Sequence, residues 1–95
     1  MTKYEIMFVV RPDMEEAEIK KTAAEMKKVL TDAKAKVLDE KAMGQKELAY
    51  EIKKFNTGYY FLLTVEASKE AEQEFNRVAR INENLLRHII VKVED

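Results

Sequence analysis

The sequence predicts an α+β fold in which two helices pack on one face of a four-stranded antiparallel sheet. Three observations lead to this prediction. Four segments are rich in apolar and aromatic residues at strand spacing, two others repeat apolar residues at helical spacing, and the order is β-α-β-β-α-β. A chain of 95 residues has room for one core between two layers, so residues 1–95 are expected to form a single domain.

The first strand and the first helix are separated by a proline. Residues 3–10, KYEIMFVV, are apolar on both faces, which is typical of a strand inside a sheet. Pro12 ends this strand because it lacks a backbone donor. A helix is predicted at residues 14–33, with Asp13 as the N-cap and Glu16 completing a capping box. The apolar stripe of this helix consists of Ile19, Ala23, Met26, Leu30 and Ala33.

The second and third strands are predicted to form a hairpin. Residues 36–53 are strand-like but highly charged, which suits the edge of a sheet, and Gly44 in their middle indicates a bulge or bend. The turn is predicted at residues 55–58, Phe-Asn-Thr-Gly. The third strand, residues 58–67, is apolar on both faces and is predicted to be central.

The last two elements complete the topology. Ser68 is predicted to cap a helix at residues 69–80, in which Phe75 belongs to the apolar stripe, and a fourth strand is predicted at residues 86–94. The resulting order is the split βαβ, or ferredoxin-like, arrangement. Because both helices cover the same face of the sheet, the other face is left open, and such faces recruit partners.

The composition argues against an enzyme. The chain has no Cys, one Ser and one His, so thiolate chemistry is excluded and His88 has no nucleophile beside it. His88 is predicted to be a hydrogen-bonded core or surface residue. The carboxylates show no converging set, so neither a metal nor a cofactor is expected. The two Gly are isolated, which removes a Gly-rich phosphate loop and argues against a small-molecule substrate.

The same composition bears on location. A chain without Cys suits a reducing compartment, so a cytoplasmic location is expected. The longest apolar run, Ile6 to Val10, is too short to cross a membrane, and strand-like sequence begins at Lys3 without a preceding targeting segment. No association with a membrane is therefore expected.

Charge and aromatic residues point to a binding role on the sheet. The net charge is −1, with 17 Lys and Arg against 18 Asp and Glu, so a nucleic-acid partner would require a local basic patch or a basic partner protein. Sheets hold RNA by stacking aromatic side chains on bases and placing cations on phosphates. The candidate binding residues are Lys3, Tyr4, Lys46, Tyr50, Arg87 and Lys92.

The alternative for the aromatic residues is a place in the core, because strand aromatics are usually buried. We expect a core position for Phe8, Phe61 and Phe75. For Tyr4 and Tyr50 the choice between a core position and a binding surface stays open, since a tyrosine hydroxyl favours a boundary with water.

One segment resembles a known signature. Residues 44–53 read GQKELAYEIK, which strongly resembles the signature of the bacterial small-subunit ribosomal protein S6 family: Gly, any residue, a basic and a polar residue, Leu, Ala or Ser, Tyr, any residue, Ile. Outside this segment, Tyr4-Glu5, Gly58-Tyr59, Leu86-Arg87 and Val91-Lys92 are similar to the same family. The resemblance extends over the whole chain.

The resemblance implies a function. Proteins of this family are structural parts of the small ribosomal subunit, bind the central domain of small-subunit ribosomal RNA together with ribosomal protein S18, and have no activity and no required metal. In this chain, Lys46 would occupy the basic position of the signature and Tyr50 its tyrosine, both as interface residues. Arg87 matches a recurrent Arg before the last strand.

Two other functions share this topology. A small-molecule-sensing regulatory domain usually places Gly-rich turns at its ligand, and the scarcity of Gly argues against one. A small acyl-phosphate hydrolase would carry a Gly-containing loop with an Arg after the first strand. Residues 11–15 of this chain supply the Arg but no Gly, and they add acids that would repel an anion.

Overall fold

The six predicted elements are present in the predicted order in the computed structural model, which describes residues 1–93. They are β1 (Thr2–Val10), α1 (Glu16–Asp32), β2 (Lys36–Ile52), β3 (Phe55–Ala67), α2 (Lys69–Ile81) and β4 (Leu85–Lys92). The strands form one antiparallel sheet in the order β2-β3-β1-β4. This confirms the ferredoxin-like fold, with the apolar strands β1 and β3 inside the sheet and the charged β2 at its edge. The fourth strand was predicted to reach residue 94, which lies outside the described residues.

The core fills the space between the two helices and one face of the sheet. Phe8 of β1 and Phe75 of α2 are almost completely buried, and their ring centroids are 6.2 Å apart. Phe61 of β3 is partly buried, and its ring stacks on that of Phe8 at a centroid distance of 5.3 Å. Met26 and Leu30 of α1 are fully buried against the same cluster. The predicted core positions of the three phenylalanines and of the helix stripe are therefore confirmed.

The start of α1 differs from the prediction. The helix begins at Glu16, and its N-cap residue makes no side-chain cap hydrogen bond. Asp13, the predicted cap, instead accepts two hydrogen bonds from the Arg11 guanidinium, at 2.7 Å from Nε and 2.9 Å from Nη2. Both oxygens of the Asp13 carboxylate are thus engaged by one guanidinium, in a two-pronged, charge-assisted pair, and Asp13 does not cap the helix. The other predicted cap is confirmed, because Ser68 Oγ accepts from the Ala71 backbone N–H at 3.1 Å.

The hairpin turn also differs from the prediction. Strand β2 runs to Ile52 and β3 begins at Phe55, so the turn consists of Lys53 and Lys54 alone. Both have positive φ, 51° and 69°, as a two-residue type I′ turn requires. The predicted turn, residues 55–58, is part of β3. The prediction failed because such turns normally contain Asn-Gly, and two lysines give no turn signal.

Irregularities along β2 bend the hairpin. Gly44 has a φ of 82° and lies at a register shift, which confirms the predicted bulge. Two further shifts occur, between Val37 and Asp39 and between Glu47 and Ile52. The last shift leaves residues 48–51 opposite a single residue of β3, so the end of the hairpin does not follow a regular ladder.

Gly58 has a packing role that can be tested by mutation. A methyl group at this buried position would overlap the Cγ1 atom of Val9 on the neighbouring strand. We expect Gly58→Ala to lower the free energy of unfolding by roughly 1–3 kcal/mol, as overpacking does. Urea titration will measure the loss, and adding Val9→Ala should recover part of it by removing the obstructing atom. A loss in the single variant that Val9→Ala leaves unchanged would contradict this packing role.

Candidate nucleic-acid interface

The face of the sheet opposite the helices is apolar along its middle. Met7 of β1 lies between Leu62 of β3 and Ile89 of β4, and all three side chains are partly exposed. Together with Glu5 and Val91 they line a shallow groove of about 210 Å³. Val91 is 53% exposed, which is high for a valine in a sheet. Neither helix covers this surface, called the open face below, so it is available to a partner.

Three of the six candidate binding residues lie close together at the hairpin end of the sheet. Lys46 of β2 is opposite Gly58, which contacts Val9, and Val9 is opposite Arg87 of β4. The Arg87 guanidinium lies 5.9 Å from the ring centroid of Tyr50, which is 60% exposed. A guanidinium stacked on an aromatic ring keeps its edge free to donate to a phosphate. Lys46, Tyr50 and Arg87 are called the hairpin patch below.

The other three candidates lie at the opposite end of the sheet. Tyr4 of β1 is paired with Lys92 of β4, and Lys3 is paired with Glu66 of β3. They are called the terminal patch: Lys3, Tyr4 and Lys92. Lys3 and Lys92 line a concave surface of about 620 Å³. Tyr4 and Lys92 lie on the side of the sheet that faces the helices, where Tyr4 is half-buried against the core and Lys92 is exposed. Lys3 alternates with Tyr4 along the strand and therefore lies on the open face.

The structure therefore does not bring all six candidates into one patch. Six residues of extended strand separate Lys3 from Val9, which corresponds to roughly 20 Å. The separation follows from the antiparallel topology, which places the start of β1 beside the end of β4 and the end of β1 beside the hairpin. A ligand that contacts both patches must extend along the sheet.

Three further cations at the hairpin end were not among the predicted site residues. Lys53 and Lys54 form the turn, and the Arg11 guanidinium lies 5.3 Å from the ring centroid of Phe55. The predicted turn was two residues too late along the chain, so Lys53 was assigned to the second strand and Lys54 to neither the strand nor the turn. A scan for positively charged two-residue turns would have placed them at the tip.

His88 belongs to the core side of the sheet. Its Nε2 atom lies 2.7 Å from Asn76 Oδ1, and its ring meets that of Phe75 edge-on at a centroid distance of 6.5 Å. Burial lowers the pKa of His88 below its usual value of 6.5, and the nearby charge of Arg80 lowers it further. The prediction of a hydrogen-bonded histidine is confirmed.

The lowered pKa of His88 makes stability depend on pH. Because the folded protein favours the neutral ring, this contribution is fully present above pH 6.5, the unfolded value, and is lost as the pH falls through the lower folded pKa. We expect the free energy of unfolding to fall as the pH is lowered below 6.5. Carboxylates also change the stability in acid, so the contribution of His88 is the difference in the free energy of unfolding between wild type and His88→Gln. Urea titration at several pH values below and above 6.5 will measure this difference. Parallel curves for the two proteins would contradict the assignment.

The described residues offer little to support catalysis. Among residues 1–93, no group of three or more His, Asp or Glu side chains is placed to hold a metal ion. A groove of about 410 Å³ between α1 and β2 is lined mainly by Phe, Leu, Ala and Lys side chains. Within the same residues, no helix is both long and apolar enough to cross a membrane.

The fold and this surface define the class of the molecule: a ferredoxin-like α+β protein with an uncovered sheet face and exposed cations and a tyrosine at its hairpin end. Comparison with known proteins then gives the family. The sequence model described as Ribosomal protein S6 matches residues 3–92. The chain belongs to the ribosomal protein S6 family.

Individual relatives agree with this assignment. The chain is 45% identical over 95 residues to small ribosomal subunit protein bS6 of Halalkalibacterium halodurans, and the alignment covers both chains completely. The crystal structure of 30S ribosomal protein S6 from Thermotoga maritima superimposes with a TM-score of 0.92 at 29% identity, covering 97% of this chain and 87% of that one. These relatives are ribosomal proteins and not enzymes, which confirms the predicted family and the predicted lack of enzymatic activity.

Proposed function

We propose that this protein binds the central domain of small-subunit ribosomal RNA together with ribosomal protein S18, within the cytoplasmic ribosome. The observation that carries the proposal is the arrangement of the sheet surface. An apolar open face borders the hairpin patch at one end and carries Lys3 at the other. Membership in the ribosomal protein S6 family supports the ribosomal setting.

The charge balance supports a shared interface. Affinity for RNA comes mainly from cations that displace counterions from phosphates, and this chain has a net charge of −1. Its long-range field will not draw it to a polyanion. A few local cations, such as those of the hairpin patch, give only modest affinity, so the remaining affinity must come from a partner that contributes positive charge.

The open face supports a protein as that partner. Met7, Leu62, Ile89 and Val91 present apolar surface that water solvates poorly and that phosphates cannot use. The hairpin patch lies at one end of this surface and Lys3 at the other, so a protein seated on the open face would leave these cations at its margins, where RNA can reach them. We also propose that residues 1–95 act as one domain, which the single sheet and continuous core support.

The test is RNA binding with and without the partner. Filter-binding titrations with a central-domain RNA fragment, between about 50 and 300 mM salt, should show weak binding by the free chain and much tighter binding by the pair. Sedimentation with the small subunit in high salt provides a second measurement. Tight, partner-independent binding with a steep salt dependence would overturn the proposal. A thermal shift caused by a small metabolite would instead favour a small-molecule-sensing domain.

A further inference from the structure

We propose that Lys53 and Lys54, the two residues of the β2–β3 turn, form a phosphate-binding tip that holds RNA. This inference rests on the proposed RNA-binding function and extends it to residues outside the two patches. It begins from an unfavourable backbone. Both lysines have positive φ, 51° and 69°, which costs energy for residues other than Gly, Asn and Asp. A type I′ turn is most stable with Asn-Gly.

Strain of this kind persists where the residue is retained for another reason. Here the two positions carry the same long cationic side chain, and both side chains are exposed. Neither lysine is needed for the strand pairing, which is closed by Ile52 and Phe55. What the pair of lysines adds to the turn is two positive charges at one point.

The position of the turn suits contact with an extended ligand. Strand β1 ends at Val10, which is opposite Tyr59, whereas β3 begins four residues earlier at Phe55. The hairpin therefore projects roughly 13 Å past the last residue of β1 that pairs with β3. Two charges at the tip of this projection can meet a phosphate backbone while the hairpin patch contacts the same strand closer to the sheet.

The surroundings favour RNA over an acidic protein as the ligand. Near the tip, the Arg87 guanidinium lies 5.9 Å from the Tyr50 ring centroid, and the Tyr50 ring is exposed to stack on a base. Arg11 contributes less charge to the tip, because its guanidinium is paired with Asp13. The hairpin also carries two exposed acids, Glu47 and Glu51. Glu47 follows Lys46 in the strand and so lies on the opposite face of the hairpin, which leaves Lys46 on the side of the open face.

The experiment replaces the turn by the sequence that the backbone prefers. Lys53→Asn with Lys54→Gly should raise the midpoint of thermal unfolding, by roughly 4–8 °C, because the strain is removed. The same variant, paired with S18, should bind the central-domain RNA fragment about tenfold more weakly and lose about 1.5 from the slope of log affinity against log salt. Lys53→Arg with Lys54→Arg should keep both the affinity and the slope of wild type.

A matched control removes two charges elsewhere. Lys21→Gln with Lys28→Gln changes exposed residues of α1, on the other side of the sheet, and should leave RNA binding unchanged. If wild type binds the RNA and the Asn-Gly variant binds equally well, the tip has no role although the proposed function stands. An equal loss of RNA affinity in the α1 control would also overturn the inference. So would an Asn-Gly variant that binds the RNA as wild type does but has lost affinity for an acidic protein. If wild type paired with S18 fails to bind, the proposed function itself fails.

Discussion

Replacing Phe75 with alanine will lower the free energy of unfolding by about 3–5 kcal/mol. Phe75 is fully buried in α2 and contacts the rings of Phe8 and His88, at centroid distances of 6.2 and 6.5 Å. The substitution removes the largest side chain that α2 places on the sheet and leaves a cavity that the strands cannot close. Small domains have only about 5–15 kcal/mol in total, so the variant will be close to unfolding.

Urea titration will measure this loss, and the same helix provides the control. Ile81 at the end of α2 is 68% exposed, so Ile81→Ala should change the free energy of unfolding by less than about 0.5 kcal/mol. Leu30→Ala in α1 should behave like Phe75→Ala, with a loss of about 2–5 kcal/mol, because Leu30 is also fully buried. A loss below half a kcal/mol at Phe75 would mean that α2 does not pack on the sheet.

Reversing two charges of the hairpin patch, Lys46→Glu with Arg87→Glu, will weaken RNA binding by the pair with S18 roughly 100-fold. Each substitution removes a cation that can contact a phosphate and places an anion there instead. Both side chains are exposed, so the domain should remain folded. Filter-binding titrations at several salt concentrations will show the loss, and circular dichroism will confirm the fold.

The control for this pair of substitutions changes the net charge by the same amount. Lys21→Glu with Lys28→Glu on α1 alters the overall field but not the sheet surface, and we expect a loss of less than threefold, roughly what a screened change in net charge produces. Equal losses in the two variants would show that RNA responds to net charge alone. Unchanged binding in the Lys46 and Arg87 variant would remove the hairpin patch from the interface.

Periodicity and composition were sufficient for the fold and for one of the three irregularities of β2. The two apolar strands, the charged edge strand and the bulge at Gly44 follow from local sequence, and the structure confirms them. The N-terminus of α1 and the position of the hairpin turn could not be predicted from local sequence. In the first case an Arg11–Asp13 pair replaced a helix cap, and in the second a strained turn contains residues that normally avoid it.

The candidate site was only partly predictable, because its geometry depends on strand register. The sequence names Lys46, Tyr50 and Arg87, but the register of β2 on β3 and of β4 on β1 decides that they come together, and the antiparallel topology places Lys92 at the other end of the sheet. Polar contacts between residues far apart in the chain could not be predicted from the sequence for a similar reason, since they depend on how the elements pack. Thr22 of α1 is buried, and its hydroxyl accepts from Asn84 at 3.4 Å, a partner 62 positions along the chain. No local pattern indicates such a contact.

The position of β1 in the sheet constrains the synthesis of this protein. Of the four strands, β1 is synthesised first, and it pairs with β3 and with β4, which is synthesised last of the four. Until Tyr59 has emerged, Thr2–Val10 has no partner in β3, and its other edge stays unpaired until β4 begins to emerge at Leu85. Completion of the sheet therefore waits for β4, and the apolar β1 must be kept from aggregating during that interval.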